Sequence, residues 1–315
     1  MDFRRLFACA TCAIALTALP AQAQQKAAPK GKPAAAKPSA ATSDMLPTQV
    51  FVDRAGYSPG EIDGAGGRNT DNAIAAYERD KKTSIADALA SAEPPTISYT
   101  ITAEDAAVPF TTDIPEDMME KAKLKKLDYS SMIEMLAERF HASPALLKKL
   151  NPTAKFASGE LITVPNVVVV SDTESKPTPG IVVKVSKSRS TLTVTDASGG
   201  TLMHAPVTSG SEHDPLPIGN WTVTSVVRNP TFNYNPDLFW DAEPSHAKAK
   251  VPPGPNGPVG VVWIDISKPH YGLHGTPEPG TVGHTSSHGC VRLTNWDALK
   301  LAAMVGKGTK VEFVE

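Results

Sequence analysis

Residues 284–293 read HTSSHGCVRL and hold one cysteine, Cys290, directly after Gly289 and two residues before Arg292. The 315-residue chain has only two others, Cys9 and Cys12. Both lie in the start MDFRRLFACATCAIALTALPAQA, residues 1–23, which is built as a secretory signal peptide. Arg4 and Arg5 precede an apolar run from Leu6 to Leu19, and Ala21-Gln22-Ala23 supplies a small-x-small cleavage signal. The run is too short to make a convincing membrane span, and no later run is long enough for one. Cleavage leaves Cys290 as the single thiol of an exported protein, so no disulfide can form within the mature chain. Such a cysteine is an intermolecular bridge, a buried bystander or a reactive group. Exported proteins tend to lose unpaired thiols that do no work, so reactivity leads.

A cysteine attacks as its thiolate, and a nearby imidazole or hydrogen-bond donor must assist ionisation near neutral pH. His270, His274, His284 and His288 are close in sequence. His288, two residues before Cys290, suits support of the loop rather than the role of base. His274 lies on YGLHGT, residues 271–276, and an adjacent strand could bring its ring beside the sulfur. Gly289 permits a tight turn, and the amides of Gly289 and Cys290 could face a developing oxyanion.

The chain outward from this stretch divides by composition. Residues 24–46 are Ala, Pro, Lys and Ser, with Lys26, Lys30, Lys32 and Lys37, and read as a flexible basic linker. In residues 47–92, helical spacing at Val50, Val52 and Ala55 is broken by Gly56, Ser58, Pro59 and Gly60. IDGAGGRNT, residues 62–70, is a turn, and Asn69 or Thr70 caps a helix from Asp71 to Arg79. In residues 97–168, YTITAEDA opens with a strand. Ser131 and Glu134 can form a capping box, and Met132, Met135, Leu136 and Phe140 share one helix face. Pro144 restarts a helix after Ser143, and ELITVPN closes with a strand. SDTESKPTPG, residues 171–180, is a polar, Pro-rich hinge. Residues 181–315 alternate as strands, with a DASGG hairpin turn at 196–200, a helix from Asp297 to Met304 and a final strand, TKVEFVE. Thr294 and Asp297 have capping-box spacing for that helix, which makes Asp297 a cap rather than a triad acid. Net charge is −2, with no basic stripe interleaved with aromatics, so nothing points to nucleic acid.

LHGT followed at this spacing by SHGCVRL resembles the catalytic signature of the L,D-transpeptidases, the YkuD-type domain. PLPIGNWTV (215–223) and PPGPNGPVGVVWIDI (252–266) match further segments of that family, and the resemblance covers 181–315. It implies a mostly-β catalytic domain and a cysteine-dependent acyltransferase that needs no metal or organic cofactor. Cys290 would be the nucleophile and His274 the base, forming a thiolate–imidazolium pair, with the carbonyl of Gly275 orienting the imidazole. Ser287, His288 and Gly289 would shape the loop and the oxyanion site. Arg292 would meet donor-peptide carboxylates or hold the loop by a salt bridge. Tyr271 and Trp263 would line the groove or belong to the core. AGYSPGEIDGAGGRNTDNAIAAYE (55–78) resembles the first peptidoglycan-binding domain family. Residues 97–168 resemble a βααβ LysM module, departing from it in the insertion AAVPFTTDIPEDMMEKAKLKKLD, 106–128.

The implied substrates are peptidoglycan stem peptides and glycan strands, and the implied location is the periplasm. The thiolate would attack the meso-diaminopimelate–D-alanine bond of a tetrapeptide stem and release D-alanine. A stem-peptide amine would then give a 3→3 cross-link, a lysine of an envelope protein an anchor, and water an L,D-carboxypeptidase. Three rival readings stand beside it: a zinc set of His274, His284, His288 and Cys290; a non-catalytic wall-binding protein; and a cysteine kept for intermolecular disulfides.

Overall fold

The computed structural model describes residues 44–170 and 172–315. The expected signal peptide, with Cys9 and Cys12, and nearly all of the expected linker lie outside the described residues. Among the described residues no helix is long and apolar enough to cross a membrane.

Three helices come first: α1 (Leu46–Arg54), α2 (Arg68–Lys81) and α3 (Ile85–Leu89). Helix α2 starts three residues before the sequence-based expectation. Its cap is Gly67, with no side-chain cap, and Asn69 and Thr70 fall inside the first turn. Both are engaged elsewhere: the Thr70 hydroxyl accepts from Gln49 Nε2 at 3.2 Å, and Asn69 Nδ2 donates to the Val282 carbonyl at 2.8 Å. Tertiary partners for those side chains outweigh the local cap.

Strand β1 (Thr96–Thr100) pairs antiparallel with β2 (Leu161–Pro165). The AEDA stretch expected to continue the first strand is instead helix α4 (Ala103–Ala106), begun by a reciprocal box between Thr102 and Asp105. Helices α5 (Met118–Lys121), α6 (Met132–Arg139) and α7 (Pro144–Leu150) follow. Ser143 caps α7, with Pro144 at its first position, where a missing N–H costs nothing. Ser131 caps α6 through the Glu134 amide, but the box is not reciprocal, because the Glu134 carboxylate takes the Ser130 amide at 2.8 Å.

Strands β3 (Val182–Ser186), β4 (Thr191–Thr195), β5 (Thr201–Pro206), β6 (Thr208–Ser209) and β7 (Gly219–Arg228) belong to the C-terminal part. So do β8 (Phe232–Tyr234), β9 (Ala249–Val251), β10 (Val262–Ile266), β11 (Gly272–His274), β12 (Val291–Arg292), helix α8 (Asn295–Met304) and β13 (Lys310–Val314). Nine of these strands form one sheet in the order β5-β4-β3-β13-β7-β10-β11-β12-β6, and β8–β9 is a separate hairpin. Val183, Val185, Leu192, Val223, Ile264 and Phe313 on the sheet bury against Leu301 and Ala302 of α8. Alternation along β3, β4 and β13 puts these residues on one face, as period-2 patterning requires.

The N-terminal helices hold a small core of their own, Val52, Tyr57, Ala73, Ala76 and Tyr77, and also join a shared one. Leu46, Val50 and Ile62 pack in one cluster with Ile101, Met135, Leu136 and Leu147. The insertion at 106–128 also has a packing role. Ile114, Met118, Met119 and Leu127 pack against Phe232, Tyr234, Phe239 and Val251 of the β8–β9 hairpin segment. Asp117 pairs with His246 Nε2 at 2.8 Å, and the other ring nitrogen meets the Tyr234 hydroxyl at 2.8 Å.

A buried ionic cluster joins α1 to α8. Asp53 Oδ1 accepts from Lys300 Nζ at 3.0 Å, and Asp53 Oδ2 meets His141 Nδ1 at 3.0 Å. His141 stacks flat on Trp296, with centroids 5.2 Å apart. Thr294 caps the same helix by accepting from the Asp297 amide, and the Asp297 carboxylate accepts from the Ser58 hydroxyl at 2.7 Å. Burial alone would raise the Asp53 carboxyl, but Lys300 and His141 overcome that and hold it far below the usual carboxylate range. Its stabilisation is therefore present above the unfolded carboxylate pKa and is lost as pH falls below it. Asp53→Ala strands the Lys300 ammonium, leaves His141 Nδ1 without its partner, and is expected to cost about 3–5 kcal/mol. Thermal melts of both proteins check this, and the gap should narrow only below about pH 4, where Asp53 of the unfolded chain protonates.

Candidate active site

Three short strands build the site. Across the antiparallel pair Trp263 lies opposite His274, and across the parallel pair His274 lies opposite Arg292. Paired residues share a face, so Trp263, His274 and Arg292 point together, away from core residues Ile264, Leu273 and Val291. Cys290 stands two residues before Arg292, beside Gly272, whose backbone hydrogen bond favours its thiolate. The thiol donates to the His270 carbonyl at 3.8 Å.

His274 is almost wholly buried, at 4% exposure. Its Nδ1 lies 2.7 Å from the Gly275 carbonyl oxygen. A carbonyl only accepts, so Nδ1 carries the proton and Nε2 is the free acceptor. The Trp263 indole stacks on the ring, with centroids 5.5 Å apart and planes 19° apart. Burial and then the Arg292 charge hold His274 down to about 3, so the ring is neutral at pH 7. Burial pushes the Cys290 thiol up, against the Gly272 and Arg292 contributions that favour the thiolate. Burial thus works against the charged form of each group, the thiolate and the imidazolium.

Arg292 is mostly buried, and burial lowers its own pKa. No carboxylate among the described residues pairs with it within salt-bridge distance; Glu278 and Asp241 act on it only at longer range. Tyr271 packs against Gly289, where an added Cβ would lie 2.6 Å from the ring. Gly289 has φ +94°, a conformation that favours glycine.

Ser287 is buried and holds the loop backbone: its hydroxyl donates to the Cys290 carbonyl at 2.6 Å and accepts from the Gly210 amide at 2.8 Å. His288 turns away from the sulfur. Its Nε2 meets Asp241 at 2.8 Å, and its ring packs edge-on against Phe239. His284 meets Asn69 at 3.3 Å. Among the described residues no group of three or more His, Cys, Asp or Glu is arranged to hold a metal ion.

Residues 180–313 match the sequence profile of the YkuD L,D-transpeptidase catalytic domain. They are an L,D-transpeptidase catalytic domain.

The chain also aligns with individual relatives. YkuD of Bacillus subtilis, of the L,D-transpeptidase family, is 28% identical over 184 residues, covering 57% of this chain and 91% of that protein. Its Bacillus licheniformis counterpart is 49% identical over 59 residues, 19% of this chain and 36% of that protein. YbiS of Escherichia coli, in the same family, is 30% identical over 193 residues, 58% of this chain and 60% of its own length. The chain thus spans less than two thirds of two of these three relatives.

Several residues around the transpeptidase site had no local sequence signal. Phe239, Trp240 and Asp241 reach His288 from the β8–β9 hairpin segment. Asn69 of α2 grips the loop between His274 and Cys290 at Val282. Asn295, the first residue of α8, wedges against Gly275. The one trace in the sequence is the glycine run of PPGPNGPVG, where Gly260 has φ +60° and also leaves room for Asn295.

Proposed function

We propose that the chain is a peptidoglycan L,D-transpeptidase in which Cys290 is the nucleophile and His274 the general base. The observation that carries this reading is the tautomer fixed by Gly275, which leaves a neutral Nε2 acceptor on β11, whose neighbouring strand β12 begins directly after Cys290. As the thiol attacks the meso-diaminopimelate carbonyl, its proton passes to Nε2. The neutral pair becomes charged only along this step, when the developing oxyanion provides a compensating charge for the Gly289 and Cys290 amides to stabilise. His274 then protonates the departing D-alanine amine, leaving a thioester on Cys290. An incoming amine loses its proton to His274 and takes the acyl group.

Arg292 is the residue for a substrate carboxylate, since it is mostly buried, charged and without a salt-bridge partner among the described residues. Arg292→Gln is expected to raise KM for a tetrapeptide donor roughly tenfold, as lost charge-assisted hydrogen bonds are worth about 1.5–3 kcal/mol. Arg292→Lys should recover part of this. Steady-state D-alanine release with each variant checks it.

In the same reading residues 47–92 act as a peptidoglycan-binding-like module and residues 97–168 as a LysM-like one, holding the catalytic domain to cell-wall polymer in the periplasm after signal cleavage. Incubation with disaccharide-tetrapeptide and chromatography of the products tests the acceptor. Dimers with 3→3 links mean a stem-peptide acceptor; tripeptide alone means water, the L,D-carboxypeptidase alternative. No D-alanine release from any muropeptide would return the chain to a wall-binding role without catalysis.

A further inference from the structure

Asn295 is locked on every side. Its Oδ1 accepts from the Val261 amide at 3.2 Å, and its Nδ2 donates to the Pro255 carbonyl at 3.2 Å. Nδ2 also reaches both carboxyl oxygens of Glu138, at 2.9 and 3.0 Å. The side chain sits against two glycines. A Cβ on Gly260 would lie 2.0 Å from Asn295 Oδ1, and one on Gly275 would lie 2.2 Å from it. Gly275 is the residue whose carbonyl holds the His274 imidazole. The neighbouring backbone is pinned as well: the Leu293 amide donates to the His274 carbonyl at 2.8 Å, and the Gly275 amide to the Val262 carbonyl at 3.2 Å.

Glu138 belongs to α6, 157 residues earlier and outside the transpeptidase domain. It is almost completely buried, at 9% exposure. One turn earlier, Glu134 accepts from Asn256 Nδ2 at 2.6 Å, so α6 presents two acids to two asparagines of the catalytic domain. Helical spacing of four residues puts both acids on one face. The same region closes on residues 253–256 by backbone bonds, from Leu127 to the Pro253 carbonyl and from Asn256 to the Leu127 carbonyl, each 3.0 Å.

We propose that Glu138 and Asn295 are positioning residues for the catalytic base, the βααβ module acting through Asn295 to fix Gly275 and so the orientation of His274. This rests on the reading of His274 as the base. The module would then be part of the catalytic machinery as well as a tether. A small displacement of Gly275 rotates the imidazole away from the proton it must take, which lowers turnover and leaves donor binding intact.

The test uses full-length mature protein with a tetrapeptide donor, D-alanine release, and ¹⁵N-histidine NMR of the His274 Nδ1–H. Burial pushes Glu138 up to about 8, so glutamine is a close electrostatic match for it at pH 7. Glu138→Leu is expected to cut kcat roughly tenfold, with KM within about twofold of wild type, and to shift or broaden the His274 resonance. Glu138→Gln, which keeps an acceptor, should restore both readouts. Asn295→Ser is the second variant, for use if the leucine protein does not fold, and must show the same kcat loss and the same resonance change. Wild-type kcat, or a kcat loss with the His274 resonance unmoved, overturns the proposal. His274→Gln in the same series separates the two ideas. If it is inactive while Glu138→Leu and Asn295→Ser are normal, only the positioning role fails. If it turns over like wild type, the base assignment fails and takes the positioning role with it.

Discussion

His274→Gln is expected to lose about 10²–10⁴-fold in kcat/KM for D-alanine release, the usual contribution of a positioned general base. Glutamine retains a hydrogen-bonding side chain but cannot take the thiol proton. The loss should fall on kcat, since His274 is buried beneath Trp263 and binds no part of the donor in the reading above. The pH behaviour adds a second expectation. His274 is held down to about 3 and the Cys290 thiol is raised, both first by burial. Lowering the imidazole pKa keeps the base unprotonated at every pH above that value, so wild-type activity should show no acid limb near pH 6.5. Raising the thiol pKa keeps sulfur protonated at neutral pH. Alkylation of Cys290 by iodoacetamide should therefore climb through the alkaline range. A plateau already reached between pH 5 and 7 would mean a preformed thiolate–imidazolium pair and contradict this description of the resting site.

Gly275→Ala should be comparably damaging, although it adds one methyl group to a residue with no reactive side chain. The new Cβ would lie 2.2 Å from Asn295 Oδ1 and 3.4 Å from Asn295 Cα. Asn295 cannot swing away, because its amide is held by Glu138, Pro255 and Val261. The strain must go into the backbone of β11 or the start of α8. Overpacking of this kind costs about 1–3 kcal/mol of stability. The activity loss should be larger than that implies, about 10²-fold or more, because the carbonyl that fixes the His274 tautomer moves with the strained backbone. Melting temperature and kcat measured on the same preparation separate the two effects. A protein with wild-type kcat and a lowered melting temperature would show that the Gly275 carbonyl does not set the imidazole.

What could be read in the sequence was local. The SHGC turn needs its glycine, and the strand ends at His274 and Arg292 follow from short apolar alternation on either side of polar residues. Those features put a thiol and an imidazole on neighbouring strands before any contact is known. Caps set by adjacent side chains were legible too, at Ser143 and Thr294. Where a distant partner competed, local reading failed. Asn69 was a cap candidate by type, but the Val282 carbonyl, 213 residues away, takes its amide. The strand expected through AEDA ended at Thr100 because Asp105 bonds back to Thr102. The partners of Asn295, the Asp53–His141–Lys300 cluster and the hydrophobic seat of the 106–128 insertion under the β8–β9 hairpin all join segments more than a hundred residues apart in the chain or close over irregular backbone. No periodicity encodes such contacts. The composition of the insertion hints only that its Met and Leu side chains must be buried somewhere.

The central claim is acyl transfer through Cys290. Its most direct test is intact-protein mass spectrometry of mature wild type and Cys290→Ala after brief incubation with a disaccharide-tetrapeptide donor. The account predicts a covalent adduct on wild type equal to the donor minus D-alanine, mapped to Cys290 by peptide analysis, and none on the alanine variant. An adduct that persists in Cys290→Ala, or D-alanine release by that variant at the wild-type rate, would contradict it.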